Sequence, residues 1–136
     1  MASSERQPEV IVDFIFDEGL FFVAVKNIGD GPAHDVSVVF NKKFTGVAGT
    51  REISALPLFR KLSFLAPQRE ITTFLDHSVS YFRRRQPTAL KATITFKDNS
   101  GTRHAAVVKH DLSIYKNLGY LRRPSEAARP LLPSGI

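Results

Sequence analysis

The fold is decided by the stretch Ala89-Leu90-Lys91-Ala92-Thr93-Ile94-Thr95-Phe96-Lys97. Its apolar side chains alternate strictly with lysine and threonine, at Leu90, Ala92, Ile94 and Phe96. A period of two residues is that of a β-strand, in which successive side chains point to opposite faces. The stretch therefore predicts a strand with one buried face and one face in water.

The sequence after this strand predicts a hairpin. Asp98-Asn99-Ser100-Gly101 is a turn signal, and Thr102 to Leu112 returns as the last strand. A three-residue loop with Gly101 in the left-handed position pairs Asp98 with Thr102, and this fixes the register of the two strands. That register places Ala106 opposite Ile94 on the buried face, whereas a two-residue loop would bury Arg103. Because burial sets register, we predict the three-residue loop.

Short apolar runs bounded by turn residues fill much of the remaining chain. They predict strands over residues 10–16, 20–27, 36–40 and 71–75. Single helical turns are predicted over residues 77–85 and 113–120. About seven short strands without a long amphipathic helix predict an all-β fold, an immunoglobulin-like antiparallel β-sandwich with one or two short helical turns.

Residues 53–65 fit two structures. Their apolar residues have a helical spacing, but Pro57 interrupts it, so short extended pieces with one turn are favoured over a helix. Leu56-Pro57-Leu58-Phe59 is expected to pack in the core, and the alternative is an exposed apolar edge that recruits a partner.

Length and composition predict one domain between two polar ends. The chain has 136 residues, which suits a single domain. Residues 1–8 read as a flexible arm, 9–121 as the sandwich domain and 122–136 as a basic, proline-rich tail. The N-terminal stretch lacks the apolar run of a signal peptide, and no stretch is long and apolar enough for a membrane helix. We therefore expect a cytoplasmic protein.

Two stretches resemble a known family. Val23–Phe40 (VAVKNIGDGPAHDVSVVF) and Phe64–Asp76 (FLAPQREITTFLD) are similar to structural signatures of CARDB-like domains, immunoglobulin-like modules of bacteria and archaea. In the second signature Gln68 stands where the family usually has glycine. The resemblance implies a role in adhesion, assembly or the presentation of neighbouring domains, and it carries no catalytic residue onto this chain.

Residue types that serve catalysis or metal binding do not have the spacing that such chemistry needs. The chain has no cysteine, which excludes thiolate sites. Asp76-His77-Ser78 are adjacent, whereas a catalytic triad is gathered from separate segments, so we expect Asp76 or Ser78 to be the N-cap of the following turn instead. His104 and His110 would lie roughly 20 Å apart on one strand, and Gly29-Asp30-Gly31 lacks the residues of a phosphate loop. We expect no catalytic residue, metal or cofactor.

Positive charge is concentrated late in the chain. Residues 1–82 hold 8 Lys/Arg against 10 Asp/Glu, and residues 83–136 hold 11 against 3. The predicted hairpin register places four cations on its wet face, with Lys97 opposite Arg103 and Lys91 opposite Lys109. If they lie nearby, three arginines would add to this face: Arg83, Arg84 and Arg85.

Two functions fit these observations. The first is a non-enzymatic protein–protein interaction or assembly module that binds a protein partner, including a second copy of the chain. The alternative is an electrostatic binder of nucleic acid or another anion through the basic sheet face, with strong salt dependence.

Overall fold

The computed structural model describes residues 6–118 and shows a β-sandwich. The strands of its two sheets are β1 Val10–Asp17, β2 Leu20–Asn27, β3 Ala33–Phe40, β6 Leu62–Leu65, β7 Glu70–His77, β8 Ala89–Lys97 and β9 Arg103–Asp111. One sheet has three strands in the order β1-β2-β7, and the other has four in the order β6-β3-β8-β9. Neighbouring strands are antiparallel in both sheets. These seven strands confirm the predicted fold class.

Smaller elements connect the sheets. A short hairpin is formed by β4 (Thr45–Gly46) and β5 (Arg51–Glu52). Single helical turns are α1 (Pro57–Arg60) and α2 (Ser78–Arg83), and 3-10 turns cover Ile53–Ala55 and Leu112–Tyr115. The predicted turn over residues 77–85 is thus confirmed as α2.

Phenylalanine rings fill much of the space between the sheets. Alternate residues of β1 and β8 face this space, including Phe14 and Ile94, and are almost fully buried. Phe40 packs edge-to-face against both Phe44 and Phe59, at ring-centroid distances of 4.9 and 5.0 Å. These contacts extend the core beyond the strands to the segment between β3 and α1.

The β8–β9 hairpin has the predicted register. Lys97 pairs with Arg103, Ile94 with Ala106 and Lys91 with Lys109. Gly101 has φ +85°, the left-handed conformation expected of the third loop residue. The four cations predicted on the solvent-facing side of the hairpin, Lys91, Lys97, Arg103 and Lys109, therefore lie on that side.

Residues 53–65 form neither a single helix nor the extended pieces with one turn that the sequence favoured. A 3-10 turn, helix α1 and strand β6 follow one another, and Pro57 is the first residue of α1. Proline is compatible with that position because the first helical N–H needs no partner. Phe59 is fully buried, as expected of core packing.

The end of the predicted N-terminal arm contacts the sandwich. Residues 6–8, within the predicted arm, lie against the β2–β3 turn, where the amides of Asp30 and Gly31 donate to the carbonyl of Gln7. A Cβ at Gly31 would come within 2.4 Å of the Arg6 carbonyl oxygen, so the turn requires glycine there. The predicted tail over residues 122–136 lies outside the described residues.

Candidate protein-interaction face and adjoining cleft

The outward side of the four-stranded sheet carries the cations predicted from the sequence. Because directly paired residues share a face, the register places Lys91 and Lys109 side by side at one end. At the other end Lys97 is paired with Arg103 and also with His34 of β3. We call the outward side chains of β3, β8 and β9 the basic face.

The middle of the basic face is apolar. Val39 pairs with Thr93, which in turn pairs with Val107, so that two valines flank one threonine in a row across the sheet. Val39 is 65% exposed and Val107 is 57% exposed. Alternation within a single strand does not show that the two valines meet across β8, because this depends on how β3 pairs with β8.

An aromatic pair extends one end of this face. Phe64 of β6 pairs with His34 and is 51% exposed. The two rings are in edge-to-face contact at 5.3 Å, and His34 Nε2 lies 2.8 Å from Asn99 Oδ1. The face therefore combines exposed apolar groups in its middle and at one end with cations around them.

The cations of the face differ in their partners. Lys97 Nζ lies 3.6 Å from a carboxylate oxygen of Asp35. Within residues 6–118, no carboxylate lies within ion-pair distance of Lys91, Arg103 or Lys109. Three of the four predicted cations are thus available for an external anion.

The three consecutive arginines do not act together. Arg84 donates to the buried carboxylate of Asp76 and also to the carbonyl and hydroxyl oxygens of Thr45. Its neighbours Arg83 and Arg85 are exposed. Arg84 therefore ties α2 to β4 and β7, which removes it from the set of free cations that the sequence suggested.

Asp76 is structural and does not cap α2. Its carboxylate accepts from the amides of Ala48 and His77, at 3.1 and 2.9 Å, as well as from Arg84. The N-cap of α2 is His77, which makes no side-chain capping bond, so the prediction that Asp76 or Ser78 caps this turn is wrong.

Histidines of the last strand point inward to separate places. His104 stacks on Phe96 and lies 2.8 Å from the Asp98 carboxylate, whereas His110 donates to the Val12 carbonyl at 2.7 Å. No cluster of three or more potential metal ligands is found in the described part of the chain. The His104 and Ser100 hydrogen bonds hold the pKa of Asp98 well below its usual range.

A cleft missed by the sequence analysis adjoins the basic face. It has a volume of about 580 Å³ and runs along residues 37–43, opposite Ser54, Ala55 and the end of α1. Four cations from two parts of the chain line it: Lys42, Lys43, Arg60 and Lys61. The sequence shows these as two adjacent pairs, which is the signal that was available, but only the folded chain brings the pairs to one cleft.

The strand beside this cleft has an open edge. β6 pairs with β3 at Ala33, His34 and Val36 and extends no further, while β8 pairs with β3 as far as Phe40. The second half of β3 therefore pairs with a strand on one side only, and helix α1 packs against β3 on the other side, across the cleft. An unpaired strand edge presents free N–H and C=O groups that accept an added strand.

Comparison with known proteins gives a family and no activity. The model of a domain of unknown function, DUF8453, matches residues 1–116. Neither the curated proteins nor the solved structures contain a match to the chain. Among the described residues, no helix is both long and apolar enough to cross a membrane.

Proposed function

The chain belongs to the domain family DUF8453, and we propose that it is a non-catalytic module that binds a protein partner through its basic face. The observation that carries this proposal is the row of Val39, Thr93 and Val107, in which two largely exposed valines lie across the middle of the basic face. Lysines and an arginine surround that row at both ends.

This arrangement has the anatomy of a protein interface. Specific interfaces have an apolar centre that loses its water and a polar rim that stays wet. Burying one exposed valine on a partner contributes about 1.5 kcal/mol, so the two valines supply part of the affinity and the cations supply orientation and on-rate.

The partner that fits this face is an acidic protein surface with an apolar centre. Lys91, Arg103 and Lys109 require carboxylates opposite them, since like charges would repel. The resemblance to CARDB-like modules supports a role in assembly, and a chain without cysteine suits a reducing compartment, so our proposal places the module in the cytoplasm.

Capture from host-cell lysate on the immobilised domain tests the proposal. Val107→Ser should lower the amount of a specifically retained protein roughly tenfold, because it removes an apolar contact at the centre of the face. Val79→Ser is the matched control, since Val79 is 63% exposed on α2. Equal retention by the wild type and Val107→Ser would contradict the proposal.

The alternative is nucleic-acid binding through the same cations. It is favoured by the two like-charged cross-strand pairs, Lys91 with Lys109 and Lys97 with Arg103. Binding of a labelled single-stranded oligonucleotide should then fall steeply as salt is raised and weaken further in Lys91→Gln/Lys109→Gln. Salt-independent binding, or no binding at low salt, removes this alternative.

A further inference from the structure

We infer that the cleft beside β3 binds an extended acidic segment of a partner protein, which adds to the sheet as a strand. This goes beyond the proposed function, because it concerns the edge of the sheet and a different set of cations. We call this site the edge cleft, and define it by the unpaired edge of residues 37–41 and the cations Lys42, Lys43, Arg60 and Lys61.

The direction of the backbone N–H and C=O groups of β3 shows which of its residues face the cleft. The amide of Asn41 donates to the Lys91 carbonyl of β8 at 2.9 Å. In an antiparallel ladder, alternate residues bond to the same neighbour, so Ser37 and Val39 also face β8. Val38 and Phe40 consequently direct their N–H and C=O groups to the opposite edge, toward the cleft.

Strand β6 ends before this part of β3. Its last pair with β3 is Leu62 with Val36, and the segment that precedes β6 in the chain is helix α1, which contacts β3 without pairing with it. Val38 and Phe40 therefore lie beyond the last β6 pair, beside the space between β3 and α1. No backbone or side-chain partner on that side is found for either residue within residues 6–118.

The shape of the site matches an extended chain. The main cavity and a smaller one of about 230 Å³ share Ser37, Arg60 and Lys61, so together they follow the chain from Asp35 in β3 to Lys43, beyond the end of that strand. The part of β3 from Ser37 to its last residue, Phe40, covers roughly 13 Å. A hexapeptide guest covers this length, and two residues of β3 are available to exchange hydrogen bonds with it.

Charge decides what kind of peptide enters. Four cations line the edge cleft against the single carboxylate of Glu52 in its main cavity. None of the four lies within ion-pair distance of a carboxylate in the described part of the chain. The hydroxyl groups of Ser37 and Ser54 add hydrogen-bonding groups to the lining. The guest peptide therefore has Asp or Glu at the positions whose side chains face the cations and serines of the cleft.

A peptide fits these observations better than a nucleic acid does. Main-chain hydrogen bonds to a free strand edge are the basis of strand addition, whereas single-stranded nucleic acids require exposed aromatic rings on which bases stack. The lining contains one aromatic residue, Phe40, and it is half-buried with its ring packed against Phe44 and Phe59.

Fluorescence anisotropy with a labelled, end-blocked hexapeptide of alternating glutamate and valine tests the inference on the full chain. N-methylation of one alternating set of its amides should abolish binding, because those amides bond to β3, and methylation of the other set should leave the affinity unchanged. Equal affinity of both methylated peptides would overturn strand addition and leave simple charge attraction.

Variants locate the site. Lys43→Gln/Lys61→Gln should weaken the affinity for the peptide about tenfold. Arg83→Gln/Arg85→Gln removes the same charge from two exposed arginines that do not line the edge cleft, and it should leave the affinity unchanged. In the complex the amides of Val38 and Phe40 should gain protection from hydrogen exchange. Unchanged exchange at both amides, or complete displacement of the peptide by an equal charge of oligonucleotide, would contradict the inference.

The two proposals can fail separately. Val107 lies on β9 and does not line the edge cleft, so Val107→Ser tests the basic face without altering the peptide site. Loss of lysate capture in Val107→Ser together with no binding of the hexapeptide would refute the edge cleft alone.

Discussion

The Arg84 side chain links three elements of the fold through polar contacts. It joins α2 to the buried Asp76 of β7 and to Thr45 of β4. Arg84→Ala leaves the Asp76 carboxylate buried without its cation, and we expect the free energy of unfolding to fall by about 3–5 kcal/mol. Urea denaturation measures this.

Arg83→Ala is the control for that substitution. Arg83 is exposed on the same helical turn, and a surface change of this kind alters stability by about 0.5 kcal/mol or less. Equal destabilisation by the two substitutions would show that the Asp76 contact contributes nothing.

Asp98 gives the stability of the protein a dependence on pH. Its carboxylate accepts hydrogen bonds from His104, Ser100 and Thr102 at the β8–β9 turn, and the first of these is the main cause of its lowered pKa. A carboxylate with a lowered folded-state pKa contributes stability that is fully present above its unfolded-state pKa and is lost as pH falls from about 4 toward the folded-state value.

His104→Leu removes the largest cause of that shift, because leucine cannot donate a hydrogen bond to the Asp98 carboxylate. We expect the variant to lose less stability than the wild type between about pH 4 and pH 2, as measured by thermal unfolding at a series of pH values. Parallel curves for the two proteins would show that the His104 contact does not set the pKa of Asp98.

Among the elements, β3 has two halves with different surroundings. Its first half lies between β6 and β8, and its second half pairs with β8 alone. In the free protein we therefore expect the amide hydrogens of Val38 and Phe40 to exchange faster than those of Val39 and Asn41. Amide exchange followed by NMR checks this, and equal protection of all four amides would mean that the edge is covered.

Elements whose position follows from the burial of their own apolar side chains could be predicted from the sequence. Elements that depend on contacts with distant parts of the chain could not. The β8–β9 register follows from which side chains are apolar, so alternation was sufficient. Helix α1 and strand β6 have only four residues each, too short for a periodic signal. Gln68 has φ +61°, the conformation that glycine adopts most readily, and its amide donates to the Ile28 and Gly29 carbonyls; those contacts are tertiary.

At the scale of the whole molecule, the two sheets present outward faces of opposite charge. The three-stranded sheet carries Asp13, Asp17 and Glu70 on its outward side, where Lys26 forms ion pairs with Asp13 and Glu70. The four-stranded sheet carries the basic face. The charge asymmetry read along the sequence is therefore also an asymmetry in space.

Only the part of the candidate site that depends on local strand pairing could be predicted from the sequence. The four hairpin cations belong to adjacent strands, so local pairing rules placed them correctly. The valine row needs the pairing of β3 with β8, and the edge cleft needs the path of residues 41–61, both of which depend on contacts distant in sequence. Local patterns carry no information on either.

Site-specific photo-cross-linking tests the central claim that the basic face binds a protein. Benzoylphenylalanine replaces Thr93, which lies between Val39 and Val107 in the middle of the face, and in a second protein it replaces Val79 on α2. We predict a light-dependent adduct with one defined host protein from position 93 and none from position 79. No adduct from position 93, or the same adducts from both positions, would contradict the account.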